Sequence, residues 1–148
     1  STSIGQGTTT VSPAHMCMVA SAIYNKGVLM KPYLVDSVVN SYDVIVKTTA
    51  PDEYKEIIPE ENAKKLKSYM RSVCKYGTAN MMAYSSYKAY GKTGTAELNS
   101  DDDINSWFMG FAKKGKKKIA LAVCLEDIKQ GSGSATSVAK EIFDEYLG

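Results

Sequence analysis

The sequence contains no apolar run approaching the roughly 18 residues that a membrane-spanning helix needs. Its first residues, "STSIGQGTTT", lack the basic start and apolar stretch of a secretory leader, so any membrane anchor is expected outside this chain. Histidine occurs once, at His15, and the three cysteines, Cys17, Cys74 and Cys124, stand far apart in apolar surroundings. That spacing builds no metal site, and buried structural thiols are expected. An odd number of cysteines also disfavours a disulfide-built domain, while leaving the compartment open. His15 and Cys17 lie two positions apart on an expected helix, where side chains diverge, so they form no catalytic dyad. A net charge of +2 is too small to direct nucleic-acid binding.

A glycine is missing where it would matter most. The stretch "YGKTGTAE", Tyr90 to Glu97, contains Gly91-Lys92-Thr93, which matches the end of a phosphate-binding loop. Such a loop needs another glycine five residues earlier so that successive backbone N–H groups curl round an anion. That position is Ser86, and the stretch runs from tyrosines into an acidic loop rather than from a buried strand into a helix. Nucleotide binding is therefore disfavoured.

What is present suffices for one α+β domain, an antiparallel sheet packed against helices. Ser12-Pro13 opens a helix with a capping hydroxyl and a proline whose missing donor costs nothing there. Met16, Val19, Ala20 and Ile23 recur at helical spacing to about Asn25, and Gly27 is placed for a left-handed stop. β-Branched runs on either side of Asn40-Ser41 predict a small hairpin or arm, followed by a loop carrying Pro51 and Pro59.

A second helix, Glu60 to Tyr76, carries Ala63, Leu66, Met70, Val73 and Cys74 as its apolar stripe, with Gly77 as the stop. Strands are expected at 87–95, 104–112 and 118–125, with Trp107 and Phe108 in the core. "KKGKKK", Lys113 to Lys118, reads as a solvated hairpin turn, and Asp101 to Asp103 as a solvated acidic loop rather than a cation site. A closing helix turns Val138, Ile142 and Phe143 inward, with Leu147 near that stripe.

In this order, Lys92, Thr93, Gly94 and Thr95 lie along a strand at one side of a sheet. Such an edge holds an extended peptide by main-chain hydrogen bonds, with Gly94 allowing close approach and Thr93 and Lys92 able to hold a carboxylate. The Thr95 N–H is placed to face an oxyanion.

That grouping is similar to the K-T-G element of penicillin-recognising serine enzymes. Several segments extend the likeness in order: "SIGQG", then "VSPAHMCMVASAIYNKGVLMKPYLV", "MRSVCKYGTA", "GKTGTAE" and "SWFMGFA". Ser12 and His15 replace the threonine and glutamine usual in the first helix. Across residues 1–148 the chain resembles the C-terminal half of the transpeptidase domain of class B penicillin-binding proteins.

The resemblance implies a parent anchored in the membrane, with this domain on the extracytoplasmic face, that crosslinks peptidoglycan. There a serine attacks the penultimate D-alanine of a stem peptide and the acyl group passes to a neighbouring amine; β-lactams acylate the same serine. It assigns charge and proton relay to Lys92, carboxylate binding to Thr93 and part of the oxyanion hole to the Thr95 N–H. It implies neither metal nor organic cofactor.

The family's S-x-x-K nucleophile segment precedes every segment matched here and is not among them, and no S-x-N string occurs. Ser72 and Lys75 in "SVCK" are expected on the solvated face of a helix, where the lysine keeps its proton. Ser85 and Lys88 in "SSYK" precede a strand, where residues three apart point to opposite faces. The expected partners are thus the stem peptide, β-lactams and the absent first half of the domain. Apolar sheet surface left by that absence is expected to drive self-association. The alternatives are a nucleophile-free module that senses stem peptides or β-lactams, and a structural interaction domain in which the lysine-rich loop contacts a membrane or partner and Lys92 has no role.

Overall fold

Ser12 accepts the His15 N–H at 3.2 Å and so caps α1, Pro13–Tyr24, as the Ser-Pro pair predicts. The computed structural model describes residues 10–98 and 103–148, so "SIGQG", Asp101 and Asp102 lie outside the described residues. Ala20, Ala22 and Ile23 are the buried residues of α1. Beyond it Gly27 has φ +95°, and a side chain there would strike the Ile58 carbonyl, so both the backbone and the space call for glycine.

The expected arm is built from two small antiparallel pairs: β2, Ser37–Val39, with β3, Ile45–Thr48, and β1, Val28–Met30, with β4, Glu53–Glu56. Asn40 organises the β2–β3 turn, its Oδ1 accepting the N–H groups of Tyr42 and Val44.

The helix α2, Glu60–Tyr76, follows Pro59 and begins with two acidic residues, which suit its positive N-terminal end. Gly77 ends it with φ −104°, which is not the left-handed conformation the sequence suggests. It is needed for space instead, since an added Cβ would sit 3.0 Å from the Val73 Cα. Leu66 does not join the buried stripe and is 39% exposed. The buried positions are Ala63, Met70 and Cys74: Met70 and Cys74 join the cores on the sheet, while Ala63 lies beside Ile23 and Tyr24 at the end of α1.

Among the described residues, three long strands form the main sheet in the order β5-β6-β7: Lys88–Glu97, Asp103–Lys114 and Lys117–Lys129, all antiparallel. One face packs on α1 and α2 through Ala20, Ile23, Met70 and Phe111. The other packs on α3, Ala135–Leu147, through Phe108, Leu121, Ala139, Phe143 and Leu147, and Cys74 reaches that core at the sheet's edge. This is an α+β arrangement with the sheet between helices.

Two further expectations need correction. Ile142 is exposed, because the buried line of α3 runs through Ala135, Ala139, Phe143 and Leu147 at four-residue steps. Trp107 is only half-buried, since it lies on the opposite side of β6 from Phe108, beyond the cover of α1. Ser106 anchors α3, its hydroxyl accepting the Ala135 N–H at 3.0 Å.

Of the thiols only Cys74 is fully buried; Cys17 and Cys124 are half-buried. Burial pushes the Cys74 thiol up to about 12, with Arg71 opposing it. Its stabilising contribution is intact while the unfolded thiol is protonated, and is lost as pH rises from the unfolded pKa toward the folded one. Each pH unit in that window costs about 1.4 kcal/mol per such group. Urea unfolding from pH 8 to 10.5 should show stability falling above about pH 9, and Cys74→Ala should lose the larger part of that slope. A slope unchanged in the variant would mean the thiol titrates normally when folded.

Candidate functional site

The edge strand β5 gains its shape from alternation. Ala89 and Gly91 are buried on the α3 side, while Tyr90 stacks on Phe111 on the α1/α2 side, with ring centroids 4.9 Å apart. Period-two geometry then sends Lys92 and Gly94 to the α1/α2 side and Thr93 and Thr95 to the other. The register holds through ten pairs without a bulge, with Thr93 opposite Phe108, Gly94 opposite Trp107 and Thr95 opposite Ser106.

The outer margin of the strand is defined by Arg71, whose Nη1 donates to the Ala89 carbonyl at 3.0 Å from α2. Ala89 therefore turns its peptide groups away from β6, and Gly91, Thr93 and Thr95 do the same two, four and six residues on. The Thr95 N–H and the Thr93 carbonyl thus lie along the outer edge. Lys92 is exposed and its Nζ donates to the Thr93 carbonyl at 2.5 Å.

A contact that the sequence reading does not anticipate completes the group. The hydroxyls of Thr78 and Thr93 are hydrogen-bonded at 2.7 Å. Thr78 stands just after Gly77, so the end of α2 brings a second hydroxyl to the strand edge. Lys92, Thr93, Thr78 and the outer edge at Thr95 therefore form one patch of donors, able to hold an extended anionic chain end. The matched "GTA" step was the only signal for Thr78, and nothing in it reveals a partner fifteen residues away.

The rejected serine–lysine pairs lie elsewhere, and so does a third pair of the same spacing that the sequence reading passed over, Ser137 and Lys140 of α3: the Ser137 hydroxyl donates to the Ser134 carbonyl and Lys140 pairs with Asp144. Ser72 is exposed on α2 with its hydroxyl on the Ser68 carbonyl, and Lys75 lies over the Tyr76 ring at 4.7 Å. Ser85 is half-buried before β5, while Lys88 is exposed on the strand. His15 is exposed, and Asp103 pairs with Lys129 at 2.6 Å. Two surface grooves also lie away from the patch: one between α3 and the start of β7, the other between the end of α1 and the start of α2.

Comparison with known proteins gives a consistent answer. The family model for the penicillin-binding protein transpeptidase domain matches residues 1–146. The chain is 31% identical over 128 residues to peptidoglycan D,D-transpeptidase PbpA of Mycolicibacterium smegmatis, covering 84% of this chain and 26% of that protein. It is 29% identical to MrdA of Acinetobacter baumannii, with 99% of this chain and 24% of that protein covered. The imipenem acyl-enzyme structure of penicillin-binding protein A from M. tuberculosis superposes with a TM-score of 0.80 at 26% identity, covering 99% of this chain and 34% of that one. The chain thus spans about a quarter of these relatives and about a third of the solved structure. Since the family match runs through every helix and strand described above, this chain belongs to the transpeptidase-domain family of penicillin-binding proteins.

Proposed function

We propose that residues 1–148 are the C-terminal half of the transpeptidase domain of a peptidoglycan-crosslinking DD-transpeptidase, and that they supply one wall of its cleft. The observation that carries this reading is the strand edge on which Lys92 and Thr93 stand beside the Thr78 hydroxyl. Thr93 binds the carboxylate of the stem peptide or β-lactam, and Gly94 lets the ligand backbone approach. Lys92 contributes positive charge and relays a proton. The Thr95 N–H, on the outward edge, donates to the oxyanion as the acyl carbonyl becomes tetrahedral.

The nucleophilic serine that attacks the penultimate D-alanine comes from the preceding half, which also supplies the opposite wall. The parent sits in the membrane with this domain on the extracytoplasmic face. Among the described residues, no helix is long and apolar enough to cross a membrane. The related M. tuberculosis protein forms an acyl-enzyme with imipenem, which supports β-lactams as ligands of the completed site.

Intact-mass measurement after incubation with a penicillin tests the division of labour. A covalent adduct is expected on a longer chain that restores the upstream segment and none on residues 1–148. An adduct on the short chain would place the nucleophile within it. Reversible binding with no adduct on either chain would favour a sensor module.

Isolated residues 1–148 should also self-associate. Val38, Val39, Val44, Ile45 and Val46 are exposed on the arm, Leu34 has no cover, and Trp107 is half-covered. Light scattering should report dimers or larger species at micromolar concentration, and a clean monomer would refute the expectation.

A further inference from the structure

At the hairpin end of the main sheet, the register sets Lys88 of β5 opposite Lys113 of β6, and Lys113 opposite Lys118 of β7. Directly opposed residues project to one face, and neighbouring strands are about 4.8 Å apart, so the three side chains leave the sheet as a row about 10 Å long. Their alternation with Tyr90, Phe111 and Ala120 puts that row on the α1/α2 side.

A fourth lysine joins from α2. The Lys67 ammonium lies 4.5 Å from the Tyr24 ring centroid, 5.5 Å from Tyr90 and 5.8 Å from Phe111, and Lys118 lies 5.6 Å from Tyr24. These rings support the cations without supplying a negative charge. Among the described residues no carboxylate pairs with Lys67, Lys88, Lys113 or Lys118; the separate Lys47, Lys55 and Lys75 likewise have no ion pair, so what sets the four apart is that they stand together.

Like charges directly opposed across strands weaken a sheet. The crowding reaches α2, where burial and then Lys113 hold the Lys67 ammonium below the usual lysine range. The carboxylate-binding edge does not account for this arrangement. Lys92 is four residues from Lys88, about 13 Å along the strand, which exceeds the Debye length of about 8 Å at physiological salt.

We propose that the row Lys88–Lys113–Lys118, with Lys67 beside it, binds a linear polyanion that carries repeated phosphate groups. A single phosphate bridges two neighbouring ammonium groups at this spacing and leaves the others unpaired; a repeating anion meets the whole row. Lysine suits this role because its ammonium acts as a point charge that accepts many phosphate orientations. Of the adjoining residues, Gly115 and Lys116 form the turn and provide no apolar side chain to enter a bilayer, while Lys114 and Lys117 project to the α3 side, where the Lys117 ammonium donates to the Tyr146 carbonyl. That favours a soluble polymer over a membrane surface.

Amine acetylation read residue by residue by mass spectrometry tests the site on the unmodified full chain. Long-chain inorganic polyphosphate should slow labelling of Lys88, Lys113 and Lys118 at least fivefold while leaving exposed Lys47 and Lys55 unchanged. In titrations, the Lys88→Gln/Lys113→Gln/Lys118→Gln variant should bind polyphosphate at least tenfold more weakly. A variant with Lys47→Gln, Lys55→Gln and Lys65→Gln, which loses the same charge elsewhere, should change less than threefold.

Binding should also weaken with added salt. Uniform protection of all lysines, or equal losses in the two triple variants, would reduce the effect to net charge and overturn the proposal. Protection by phosphatidylglycerol vesicles but not by polyphosphate would make the row a membrane contact, overturning the polymer assignment. Lysines already unreactive in a longer chain restoring the preceding part of the domain would show that the domain itself covers them, again overturning it.

Discussion

Lys92→Ala, introduced into a chain that contains both halves of the transpeptidase domain, is expected to slow acylation by a penicillin about 10²–10⁴-fold, the range for loss of a group that moves a proton. The melting temperature should barely change, because Lys92 is exposed and its one described contact is to the neighbouring Thr93 carbonyl. Lys92→Arg should recover only part of the loss, since a permanently charged planar guanidinium keeps the charge but cannot give up a proton.

Thr93→Val separates binding from proton transfer. It keeps the shape of the side chain and removes a hydroxyl that donates to a carboxylate, a bond worth about 1.5–3 kcal/mol, so affinity should fall by about tenfold or more. A ligand lacking the carboxylate should be nearly unaffected. Thr78 acts through Thr93, and Thr78→Val should raise KM for a carboxylate-bearing substrate with little change in kcat. Stopped-flow acylation with matched ligands measures these effects. Unchanged acylation in folded Lys92→Ala would remove Lys92 from the chemistry.

The layout of the site was legible because local pattern and tertiary role agree there. Ser12-Pro13 caps α1 as expected, the second helix spans Glu60–Tyr76, and the three long strands extend only a few residues past their expected ends. The alternation of Tyr90, Lys92 and Gly94 against Ala89, Gly91 and Thr93 needs only the period of a strand.

The failures share a different physics. "EYKE" at Glu53–Glu56 is charged and exposed, and becomes strand only by pairing with Val28–Met30, a contact with no local signature. Leu66 and Ile142 are apolar and helical, yet which side of a helix is buried depends on what packs there. The Thr78–Thr93 hydrogen bond and the Arg71 contact to β5 join separate elements, so they emerge only when the chain is folded. The lysine row is the clearest instance: Lys88 is distant in sequence from the "KKGKKK" turn and reaches it through strand register.

Gly110→Ala is expected to be the most damaging single methyl addition in the sheet, costing on the order of 3 kcal/mol or more, beyond ordinary overpacking. Gly110 lies opposite Gly91, and its added Cβ would meet the Tyr90 carbonyl oxygen, the Gly91 Cα at 2.9 Å and the Phe108 ring at 3.0 Å. Two of those obstacles are backbone, so relief requires β5 to move away from β6. Gly91→Ala meets the Phe108 ring instead, which is fully buried against Phe143 at a centroid distance of 6.2 Å, and should cost about 1–3 kcal/mol.

Gly94→Ala would approach only the Trp107 Cβ at 3.2 Å, on a half-buried face, and should cost less than about 1 kcal/mol while obstructing a ligand at the edge. Chemical denaturation of the three variants should therefore rank Gly110→Ala worst and Gly94→Ala mildest, whereas ligand binding by folded Gly94→Ala should be impaired. Because Thr93 is held opposite Phe108, any separation of β5 from β6 should impair carboxylate binding together with stability in Gly110→Ala. If Gly94→Ala were instead the most destabilising, the glycine facing the ligand would be a packing residue, and close approach along this strand would lose its structural basis.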